Sequence, residues 1–562
     1  MEQTANKKIA NRKNRFTSGS RPRILLCSVF GPYGVNDEYG RADNKMELYH
    51  NQVTRLQGPA SLRFQHRSFG LYFIAANIRA DTTVLDFPSR GRFIREIRKK
   101  YDIVGISFIT PNFAKAREMG RLVRLYAPKS AIIIGGHGAA IEGVEKLIDC
   151  DFVARGEGIR WLREFLGENP KAPIAHPVLP CSERGRIFGI PIPGALPSVL
   201  VPGLGCVNGC HFCCTSHFFE KAYVPFFRTG KEIFKQADRI ARTRGTNEFF
   251  VMDENFLKDA GRATELLVEM EKHRRWFNFY ISSSAEAITA FGPDKMARLG
   301  VCFVWIGFES RNTETLFTKN SGIDAAQLVR ELRDRGISVL GSTMLCMEHH
   351  TPDNITADID FAVALQTDFV QFMLYTGMPV TKLYEDLKAR GLLKAGLPYE
   401  EWHGQNMLNW NHAAFPDGAA KRWLDFAFRR DYEVNSCSLY RMTDTALRGY
   451  RRLAAMASRD ECLNERMRQL GRRARFYSHL LPVIARHAVN AGERQRARAL
   501  DAEQLRLLGP LRPMEKILRI SAQALALRWD LRLRWFGDGI QPATITTRYR
   551  APRENPSAKG AA

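Results

Sequence analysis

Residues 205 to 213 read Gly205-Cys206-Val207-Asn208-Gly209-Cys210-His211-Phe212-Cys213 and follow a short apolar run, Ser198 to Pro202, typical of a buried strand. The three cysteines are separated by three and then two residues, which is close enough for one small metal centre. Thiolates hold iron–sulfur clusters, and a [4Fe–4S] cube takes four ligands. Three cysteines therefore predict a cluster with one open iron, where a further molecule can bind.

Zinc is the alternative metal for this loop. A closed zinc site needs a fourth protein ligand and usually recruits paired Cys-x-x-Cys or His units. The sequence offers no second pair, and the nearby residues that could complete a tetrahedron are His211, His217 and Cys214. An iron–sulfur cluster on the three spaced cysteines is favoured over zinc, and Cys214 is interpreted as a bystander.

Length and composition indicate an ordinary globular protein of several domains. The 562 residues suffice for about three or four domains, and the apolar fraction is 45%. No uninterrupted apolar run reaches the length of about 18 residues that a membrane-spanning helix needs. The first 23 residues lack the apolar centre of a secretory signal, and the eleven cysteines are scattered outside the loop. These features predict a cytoplasmic protein.

The net charge of +24 is concentrated at the two ends of the chain. Residues 1 to 23 hold seven Lys/Arg and one Glu, and residues 421 to 562 hold 29 Lys/Arg against 14 Asp/Glu. The part that carries the cysteine loop is close to neutral, so nucleic acid is not the favoured partner. The basic ends are interpreted as solvated surface, with peripheral contact to an anionic membrane or an acidic partner as the alternative.

An alternation of short apolar runs and helical patterns extends from Arg23 to about Leu166. Five runs with four crossovers predict a doubly wound, Rossmann-like α/β domain over residues 23–166. The ligand of such a sheet lies at the carboxyl ends of its strands. The predicted strands are Arg23 to Phe30, Thr83 to Leu85, Ile103 to Phe108, Ala131 to Ile134 and Asp151 to Ala154.

Small and polar residues follow three of these strands. Glycine lets a backbone approach a ligand closely, and serine and threonine supply hydrogen bonds. Many nucleotide-binding and flavin-binding folds share this pattern, so by itself it identifies no ligand. The stretches are Ser107-Phe108-Ile109-Thr110, Gly135-Gly136-His137-Gly138 and Arg155-Gly156-Glu157-Gly158.

A second alternation begins after residues 167–197, a proline-rich and glycine-rich stretch interpreted as an ordered linker. Six β/α units predict a partial, TIM-like (β/α)6 barrel over residues 198–395, with its functional side chains at the strand ends. The cysteine loop follows the first strand. The predicted strands are Ser198 to Pro202, Glu248 to Met252, Phe277 to Ser282, Val301 to Ile306, Ser338 to Leu345 and Phe369 to Leu374.

The cysteine spacing, with an aromatic residue just before the third cysteine, resembles the signature of the radical S-adenosylmethionine (radical SAM) enzymes. The resemblance implies that Cys206, Cys210 and Cys213 hold a [4Fe–4S] cluster, whose open iron binds the amino and carboxylate groups of SAM. Later strand ends resemble the SAM-binding elements of the family. The residues marked for this cofactor contact are Phe212, Glu254, Ser283, Glu309 and Ser310, with Lys319 downstream.

The sheet before the barrel resembles the cobalamin-binding domain of the B12-dependent radical SAM enzymes. Its Gly-Gly-His-Gly stretch is a shifted form of the family's Gly-Gly-x-His, and its Arg-Gly-Glu-Gly is intact. The Asp-x-His-x-x-Gly motif of other B12 domains does not occur between Gly31 and Asn44, as is usual in this branch. His137 is therefore interpreted as a hydrogen-bonding loop residue rather than a cobalt ligand. The residues marked for cobalamin contact are Ser107, Thr110, Gly135, Gly136, His137, Gly156 and Glu157.

Two later loops depart from the family pattern. Cys346 to Pro352 replaces its Gly-x-Pro-Gly-x-Thr turn, and Thr376 to Thr381 replaces its Pro-Gly-Thr. Loops at these places often face the substrate, so the substrate stays open. His349 and His350 are interpreted as surface or structural residues, with proton handling as the alternative.

The ends of the chain are less informative. Residues 396–540 are predicted to form a mainly helical, basic domain, and residues 1–22 and 541–562 to be disordered tails. The aromatic segment Trp402 to His412 is interpreted as core, with a roof over the barrel as the alternative. Ile517 to Phe536 fits both a helix and a strand: as a helix it is basic and suits a membrane interface or a lipid-like substrate.

The resemblance implies an enzyme that methylates an unactivated carbon of a small-molecule or lipid-like substrate. In that family a 5′-deoxyadenosyl radical removes a hydrogen from the substrate, methylcobalamin supplies the methyl group, and a flavodoxin-type or ferredoxin-type protein supplies electrons. Cyclisation or oxidation without net methyl transfer, and a vestigial B12 domain, stay open as alternatives. A tRNA methylthiotransferase would need a second cysteine-ligated cluster, for which Cys27, Cys150 and Cys181 are too far apart. A B12 sensor would not need the cysteine loop.

Overall fold

A computed structural model describes residues 21–44, 52–191, 196–312, 317–456, 460–537 and 541–551. Most of the predicted tail 1–22 lies outside these ranges. The described residues form a sheet domain, a partial barrel and a helical region. Among them, no helix combines the length and the apolar composition that crossing a bilayer requires.

The first domain is a six-stranded sheet with five parallel strands, as predicted for a doubly wound fold. Residues that alternate along the first strand pack into two separate cores: Ile24 and Leu26 on one face, Leu25 and Cys27 on the other. Burial of both faces explains why these strands are continuously apolar. In spatial order the strands are Ile545–Tyr549, Asp81–Asp86, Arg23–Ser28, Ile103–Ser107, Ala131–Gly135 and Phe152–Val153.

Helices on both faces of this sheet connect its parallel strands. The helix after the third parallel strand in chain order begins directly after the turn Thr110–Asn112. The strand order places the topological switch point between the first strand and Ile103–Ser107, which is where such sheets bind ligands. The helices are Phe69–Ala76, Arg90–Ile97, Phe113–Tyr126, Val144–Leu147 and Gly158–Phe165.

The barrel consists of six parallel strands that are hydrogen-bonded in chain order, which confirms the predicted (β/α)6 arrangement. Its outer core is rich in phenylalanine, and the rings of Phe249 and Phe277 meet edge to face at 5.4 Å. The strands are Ser198–Leu200, Glu248–Val251, Asn278–Ser282, Val301–Glu309, Ser338–Leu345 and Phe369–Leu374. The helices around them are Cys214–Phe218, Gly230–Arg244, Ala260–Lys272, Ala285–Phe291, Pro293–Leu299, Ala325–Asp334, Ile355–Ala364 and Lys382–Ala389.

The stretch 167–197 contains more structure than the predicted linker. Ser182–Ile187 and Ile190–Pro191 form a hairpin, and Ser182–Ile187 also pairs with Arg63–His66 from the first domain. The sequence pattern concealed this small sheet because its strands are short and polar, and the partner strand lies more than a hundred residues earlier. Pairing across that distance depends on how the domains pack.

The C-terminal region is helical, as predicted. Its apolar core includes Leu447 and Leu470 together with Leu340 and Phe369 of the barrel strands, so the helices cover barrel residues that the outer core does not include. Ile517 to Phe536, which fitted a helix and a strand equally well, lies in a helix. The helices are Ala419–Asn435, Ser438–Ala455, Glu461–Ser478, Leu481–Arg486, Ala491–Leu508 and Pro513–Phe536.

The prediction of a disordered tail over residues 541–562 is wrong for its first part. Ile545–Tyr549 forms the edge strand of the first domain, antiparallel to Asp81–Asp86. Gln541 accepts a hydrogen bond from the Tyr33 amide at 2.6 Å and donates one to the Tyr33 carbonyl at 3.0 Å. A polar strand of five residues carries a weak sequence signal, and it forms because the neighbouring strand offers an unpaired edge.

Candidate cofactor site

The cysteine loop lies at the carboxyl end of the first barrel strand, and its own backbone holds its shape. The amide of Cys213 donates to the carbonyl of Cys210 at 2.9 Å. Ser216, in the short helix that follows, donates its hydroxyl to the Cys206 carbonyl at 2.6 Å and accepts from the Gly209 amide at 3.1 Å. All three cysteines are half-buried. The loop therefore presents three partly accessible thiols from one compact turn.

Burial raises the pKa of each of these thiols, to about 12 for Cys213. Neighbouring thiols raise the pKa further, since Cys210 contributes to the shift of both Cys206 and Cys213. Three adjacent thiolates are thus unfavourable without positive charge between them. Iron supplies that charge and deprotonates the thiols it binds, so this donor set fits a metal centre.

The loop is also tied to the far side of the barrel. The Nε2 atom of His211 is hydrogen-bonded to the hydroxyl of Tyr375, which follows the sixth strand. The carbonyl of His211 accepts from the Leu383 amide at 3.0 Å. The two open edges of the partial barrel are joined through this loop. His211 therefore has a structural role, which argues against its use as a fourth zinc ligand.

Asp253, after the second strand, belongs to a buried charged cluster. Its Oδ2 atom lies 2.9 Å from Nη2 of Arg262 and accepts from the Tyr223 hydroxyl at 2.7 Å. The side chains of Asp253 and Arg262 are 1% and 4% exposed. The sequence did not predict this cluster, because Tyr223 lies well before Asp253 in the chain, Arg262 lies after it, and no motif connects the three residues. It anchors the turn that presents Glu254.

Glu254 is open to solvent at the strand end, yet protein surrounds its carboxylate on most sides. This desolvation, reinforced by the negative charge of Asp253, raises the pKa of Glu254 to about 7. The negative charge of Glu254 in turn raises the pKa of Cys206 and Cys213, which shows that its carboxylate lies near these thiols. Among the described residues, no cation pairs with Glu254. A carboxylate of this kind beside the thiol loop is suited to receive an ammonium group.

Ser283 is too deeply buried to contact a ligand directly. It is 3% exposed, and its hydroxyl donates to Oδ1 of Asn255 at 2.9 Å. Asn255 in turn donates to the Ser284 hydroxyl at 2.8 Å. Sequence reasoning marked Ser283 but not Asn255, whose side chain links the second and third strand ends.

Glu309, the last residue of the fourth strand, forms an ion pair of 2.6 Å with Lys319. Burial acts to lower the pKa of Lys319, but the charges of Glu309 and Cys210 outweigh it, so the pKa is raised. Gly307 leaves room for this pair in its present position, because a Cβ there would lie 2.1 Å from Oε1 of Glu309. The Lys319 ammonium also lies 5.9 Å from the centre of the Phe212 ring. The structure thus brings Phe212 and Glu309, both marked from the sequence, to the same side of the cysteine loop.

Ser310 is fully buried and serves the scaffold instead of facing the site. Its hydroxyl donates to Oδ1 of Asp358 at 2.6 Å, and the Arg311 amide donates to the same oxygen at 2.9 Å. Burial would raise the pKa of Asp358, but hydrogen bonds from His350 and Ser310 outweigh it and lower the pKa to about 2. Asp358 was not predicted, since nothing in the sequence near it marks it.

His349, His350 and Asp358 lie close enough to suggest a metal site. However, the Met347 amide donates to Nδ1 of His350 at 3.1 Å, so a neutral His350 carries its proton on Nε2 and donates it to Asp358 at 3.3 Å. Both ring nitrogens are then occupied. The structural interpretation of His350 accounts for all of its contacts.

The strand ends of the first domain leave little room for side chains around Ser107, Gly135, Gly136 and His137, which together are called the glycine cradle. Gly136 has a φ of +82°, and a Cβ there would lie 2.6 Å from the carbonyl oxygen of Phe108 and 2.9 Å from the Ser107 hydroxyl. His137 follows, and burial lowers its pKa to about 4, so its ring is neutral at neutral pH. Its Nδ1 atom has no hydrogen-bond partner among the described residues. A glycine cradle beside an unsatisfied buried nitrogen fits a large ligand such as cobalamin.

The other marked residues of this domain have local roles. Thr110 is 2% exposed at the start of a helical turn. Glu157 caps the helix Gly158–Phe165 by accepting from the amides of Ile159 and Arg160 at 2.7 and 2.9 Å. Gly156 adopts a φ of +77° in the turn before that cap. The Arg-Gly-Glu-Gly stretch thus has a clear structural function as a turn and a helix cap.

The cysteine loop and the glycine cradle face each other. The ring of His137 lies 4.6 Å from that of Phe218, in the helix that directly follows Cys213. A second bridge is made by Glu400, which accepts from the Ala114 amide at 2.7 Å, and by Glu401, which pairs with Arg41. The two sets of candidate residues therefore lie on the two sides of one contact between the domains.

The aromatic segment after the barrel is core, as the sequence analysis favoured. Trp402 and Trp410 are 6% and 3% exposed. The indole of Trp410 donates to the carbonyl of Tyr375 at 2.7 Å, and the Gly404 carbonyl accepts from Leu374 at 3.0 Å. The segment locks the sixth strand in place and leaves its aromatic faces inaccessible to a ligand.

Family models match both parts of this architecture. The model described as the B12 binding domain matches residues 59–166, and that of the Radical SAM superfamily matches residues 200–362. A cobalamin-type sheet followed by a barrel with three clustered cysteines defines a two-cofactor radical enzyme. The chain thus carries a B12-binding domain followed by a radical SAM domain, which is the domain order of the cobalamin-dependent radical SAM enzymes. The predicted cofactors, a [4Fe–4S] cluster, SAM and cobalamin, are those of this family.

Curated relatives are distant. The chain is 24% identical over 364 residues to an uncharacterized methyltransferase of Pyrococcus horikoshii, covering 58% of this chain and 79% of that one. It is 26% identical over 328 residues to the bacteriochlorophyllide d C-12(1)-methyltransferase of Chlorobaculum tepidum, covering 55% and 71%. It is 21% identical over 198 residues to the hopanoid C-2 methylase of Rhodopseudomonas palustris, covering 34% and 37%.

One solved structure shares the fold across most of the chain. The radical S-adenosylmethionine methyltransferase TsrM from Kitasatospora setae, solved with cobalamin and a [4Fe–4S] cluster bound, aligns with a TM-score of 0.51 at 14% identity. The alignment covers 81% of this chain and all of TsrM. The likeness extends the shared fold beyond the two matched domains.

Proposed function

We propose that this enzyme methylates an unactivated carbon of an apolar small molecule. The observation that carries the proposal is the packing of the glycine cradle on the cysteine loop, with His137 4.6 Å from Phe218. Two cofactor sites at one contact between the domains allow one substrate to be activated and modified without leaving it. Three relatives named as methyltransferases or methylases support methyl transfer over the alternatives of cyclisation and oxidation.

Cys206, Cys210 and Cys213 are the residues that would hold the cluster. When bound, the cluster with SAM supplies a 5′-deoxyadenosyl radical, and cobalamin supplies the methyl group. The protein would contribute part of the enclosure that such chemistry needs, because the half-buried Phe212 and Phe218 place apolar rings beside the thiol loop. The ties from His211 to Tyr375 and from Ser216 to Cys206 keep the loop in a fixed position.

Glu254 and the pair Glu309–Lys319 are the proposed SAM contacts of this chain. Glu254 would bind the amino group of SAM, since its carboxylate adjoins the thiol loop and is not paired with a cation in the part of the chain that the structure describes. Lys319 holds Glu309 in place at 2.6 Å, so Glu309 is preorganised to receive a hydroxyl or amino donor. We assign Ser283 and Ser310 to positioning, because hydrogen bonds to Asn255 and Asp358 occupy their hydroxyls.

Ser107, Gly135, Gly136 and His137 are the proposed contacts to cobalamin. Ser107 is half-buried at the switch point of the sheet, and the His137 ring nitrogen can accept or donate a hydrogen bond. Thr110, Gly156 and Glu157 would act indirectly, by shaping the turns around this cradle.

The class of substrate is proposed from the relatives. Bacteriochlorophyllide and hopanoids, named for two of them, are both large and mainly apolar ring systems. The full-length enzyme, reconstituted anaerobically with iron, sulfide and cobalamin, can be incubated with reduced flavodoxin, a lipid extract of the source cells and SAM carrying a CD3 methyl group. We expect an extract component that gains the CD3 label, with release of 5′-deoxyadenosine and S-adenosylhomocysteine. Formation of 5′-deoxyadenosine with an unlabelled product would instead indicate cyclisation or oxidation.

The raised pKa of Glu254 predicts a pH dependence of ligand binding. S-adenosylhomocysteine presents the same amino group as SAM and does not turn over. Since Glu254 is ionised above a pKa of about 7 and neutral below it, affinity should fall as the pH drops from 8 to 6, with a limiting slope of about tenfold per pH unit. Calorimetric titration of the anaerobic enzyme measures this.

Two variants complete that experiment. Glu254→Gln should bind weakly and without this pH dependence, because its amide cannot ionise. The matched control Glu142→Gln alters an exposed carboxylate of the first domain and should behave as the wild type. Equal pH profiles for wild type and Glu254→Gln would contradict the assignment.

A further inference from the structure

The helix Pro513–Phe536 packs on the protein by one face only. Ala522, Ala526 and Trp529 are buried along that face. Trp529 packs on Gly189 of the hairpin, and the guanidinium of Arg63 lies 5.1 Å from its ring centre. Arg519 completes this face through an ion pair with Asp501 at 2.6 Å. The inner face is therefore packed against the protein and anchored by an ion pair.

The opposite face carries a row of exposed apolar side chains. Their spacing of three and four residues places them on one side of the helix, opposite to the buried stripe. Ile520 is 69% exposed and Trp535 is 75% exposed. Single exposed apolar residues are common on proteins, but a continuous row marks an interaction surface. This outer stripe consists of Ile517, Ile520, Ala524, Leu527, Leu531 and Trp535.

Basic residues flank the outer stripe. Lys516 and Arg534 lie along one side of it and Arg528 along the other, and all three are exposed. The two acidic residues of the helix are paired: Glu515 lies 2.6 Å from Arg475, and Asp530 lies 2.9 Å from Arg534. Among the described residues of this helix, the outer face thus offers cations and apolar groups without an unpaired carboxylate.

A second copy of the chain is a poor partner for such a face. A two-fold interface would bring Lys516 and Arg528 close to the cations of the other copy, and among the described residues of this helix no unpaired carboxylate is available to offset them. An anionic lipid surface complements both features, since its headgroups attract each cation and its acyl region accepts the apolar stripe. Trp535 at the end of the stripe is a residue type that favours the membrane interface.

We propose that the outer stripe of Pro513–Phe536 is a docking surface for an anionic membrane. A helix of this length spans about 36 Å and would lie in the plane of the interface, since its basic residues prevent it from crossing. The surrounding protein fixes the helix through Ala522, Ala526 and Trp529, so no folding step is needed on binding. Docking through this face is independent of the reaction performed at the cofactor sites.

The test uses the full-length reconstituted enzyme and sedimentation with vesicles. Vesicles of phosphatidylcholine with about one third phosphatidylglycerol should bind several-fold more protein than phosphatidylcholine alone, and added salt should weaken binding. Changing Ile520, Leu527 and Trp535 together to Ser should weaken binding at least about tenfold. The same should hold for Lys516→Glu with Arg528→Glu. Leu125→Ser, which alters an exposed apolar residue of the first domain, is the matched control and should bind as the wild type.

Each outcome decides the question. Loss of vesicle binding in the stripe variant, with iron content and molecular mass unchanged, supports membrane docking. The proposal of membrane docking would be overturned if the wild-type protein did not bind anionic vesicles, or if the stripe variant bound them as well as the wild type does. A wild-type dimer that becomes monomeric in the stripe variant, without vesicle binding, would assign the face to a second copy instead.

Discussion

Changing Cys206, Cys210 and Cys213 together to Ala is expected to abolish iron binding and all activity. The iron content of anaerobically reconstituted protein should fall from about four per chain to near zero, and the cluster absorbance should vanish with it. The cause is direct, because the variant removes all three thiols that project from this turn. Burial raises the pKa of each thiol, so they are expected to ionise only when iron binds. Iron analysis and the visible absorption spectrum measure the result.

The adjacent Cys214 provides a matched control. It begins the helix Cys214–Phe218 and lies next to the third thiol, yet it is interpreted as a bystander. Cys214→Ala should therefore retain the full iron content and spectrum. Retained cluster absorbance in the triple variant, or its loss in Cys214→Ala, would show that the ligand set is wrong.

Changing Asp253 to Ala is expected to produce the largest loss of stability among single substitutions at the site. The substitution leaves the guanidinium of Arg262 buried, 4% exposed, without its carboxylate. Breaking a buried pair in this way costs about 3 to 5 kcal/mol. Chemical denaturation followed by circular dichroism measures the change, and weaker SAM binding should accompany it because the turn carrying Glu254 loses its anchor.

Two further variants separate the charge effect from general damage. Glu142→Ala breaks the exposed pair with Lys388 and should cost less than about 1 kcal/mol. Asp253→Leu combined with Arg262→Met removes both charges and should recover much of the lost stability. A double variant as unstable as Asp253→Ala would show that packing, and not the unpaired charge, dominates.

The strands of the sheet domain and of the barrel could be predicted from the sequence, because the pattern that marks each strand is local. Continuous apolar runs such as Arg23–Ser28 predict strands buried on both faces, and the six barrel strands followed from the same pattern. The cysteine loop was readable for a similar reason, since all three ligands lie on one turn of chain. Glu254, Phe212 and Glu309 were found because they follow predicted strands at places where parallel sheets bind ligands.

The partners of these residues were not readable. Asn255, which positions Ser283, and Asp358, which positions Ser310, act across different strand ends. The strand Ser182–Ile187 pairs with Arg63–His66 and the edge strand Ile545–Tyr549 with Asp81–Asp86, and both partners lie far away in the chain. Both strands are short and consist mainly of polar residues, so their local β-propensity is weak. They form strands because the unpaired edge of a neighbouring strand is available to them.

The cysteine loop shows which properties of the site follow from the sequence and which follow from the tertiary structure. The sequence by itself determined the ligand type, the number of thiols and the order of the two domains, because spacing along one turn and apolar periodicity are local properties. Only the tertiary structure decided that His137 of the first domain meets Phe218 beside the thiols, and that one face of Pro513–Phe536 stays exposed. Both depend on contacts between residues far apart in the chain, and the energy of such contacts arises only when the whole fold has formed.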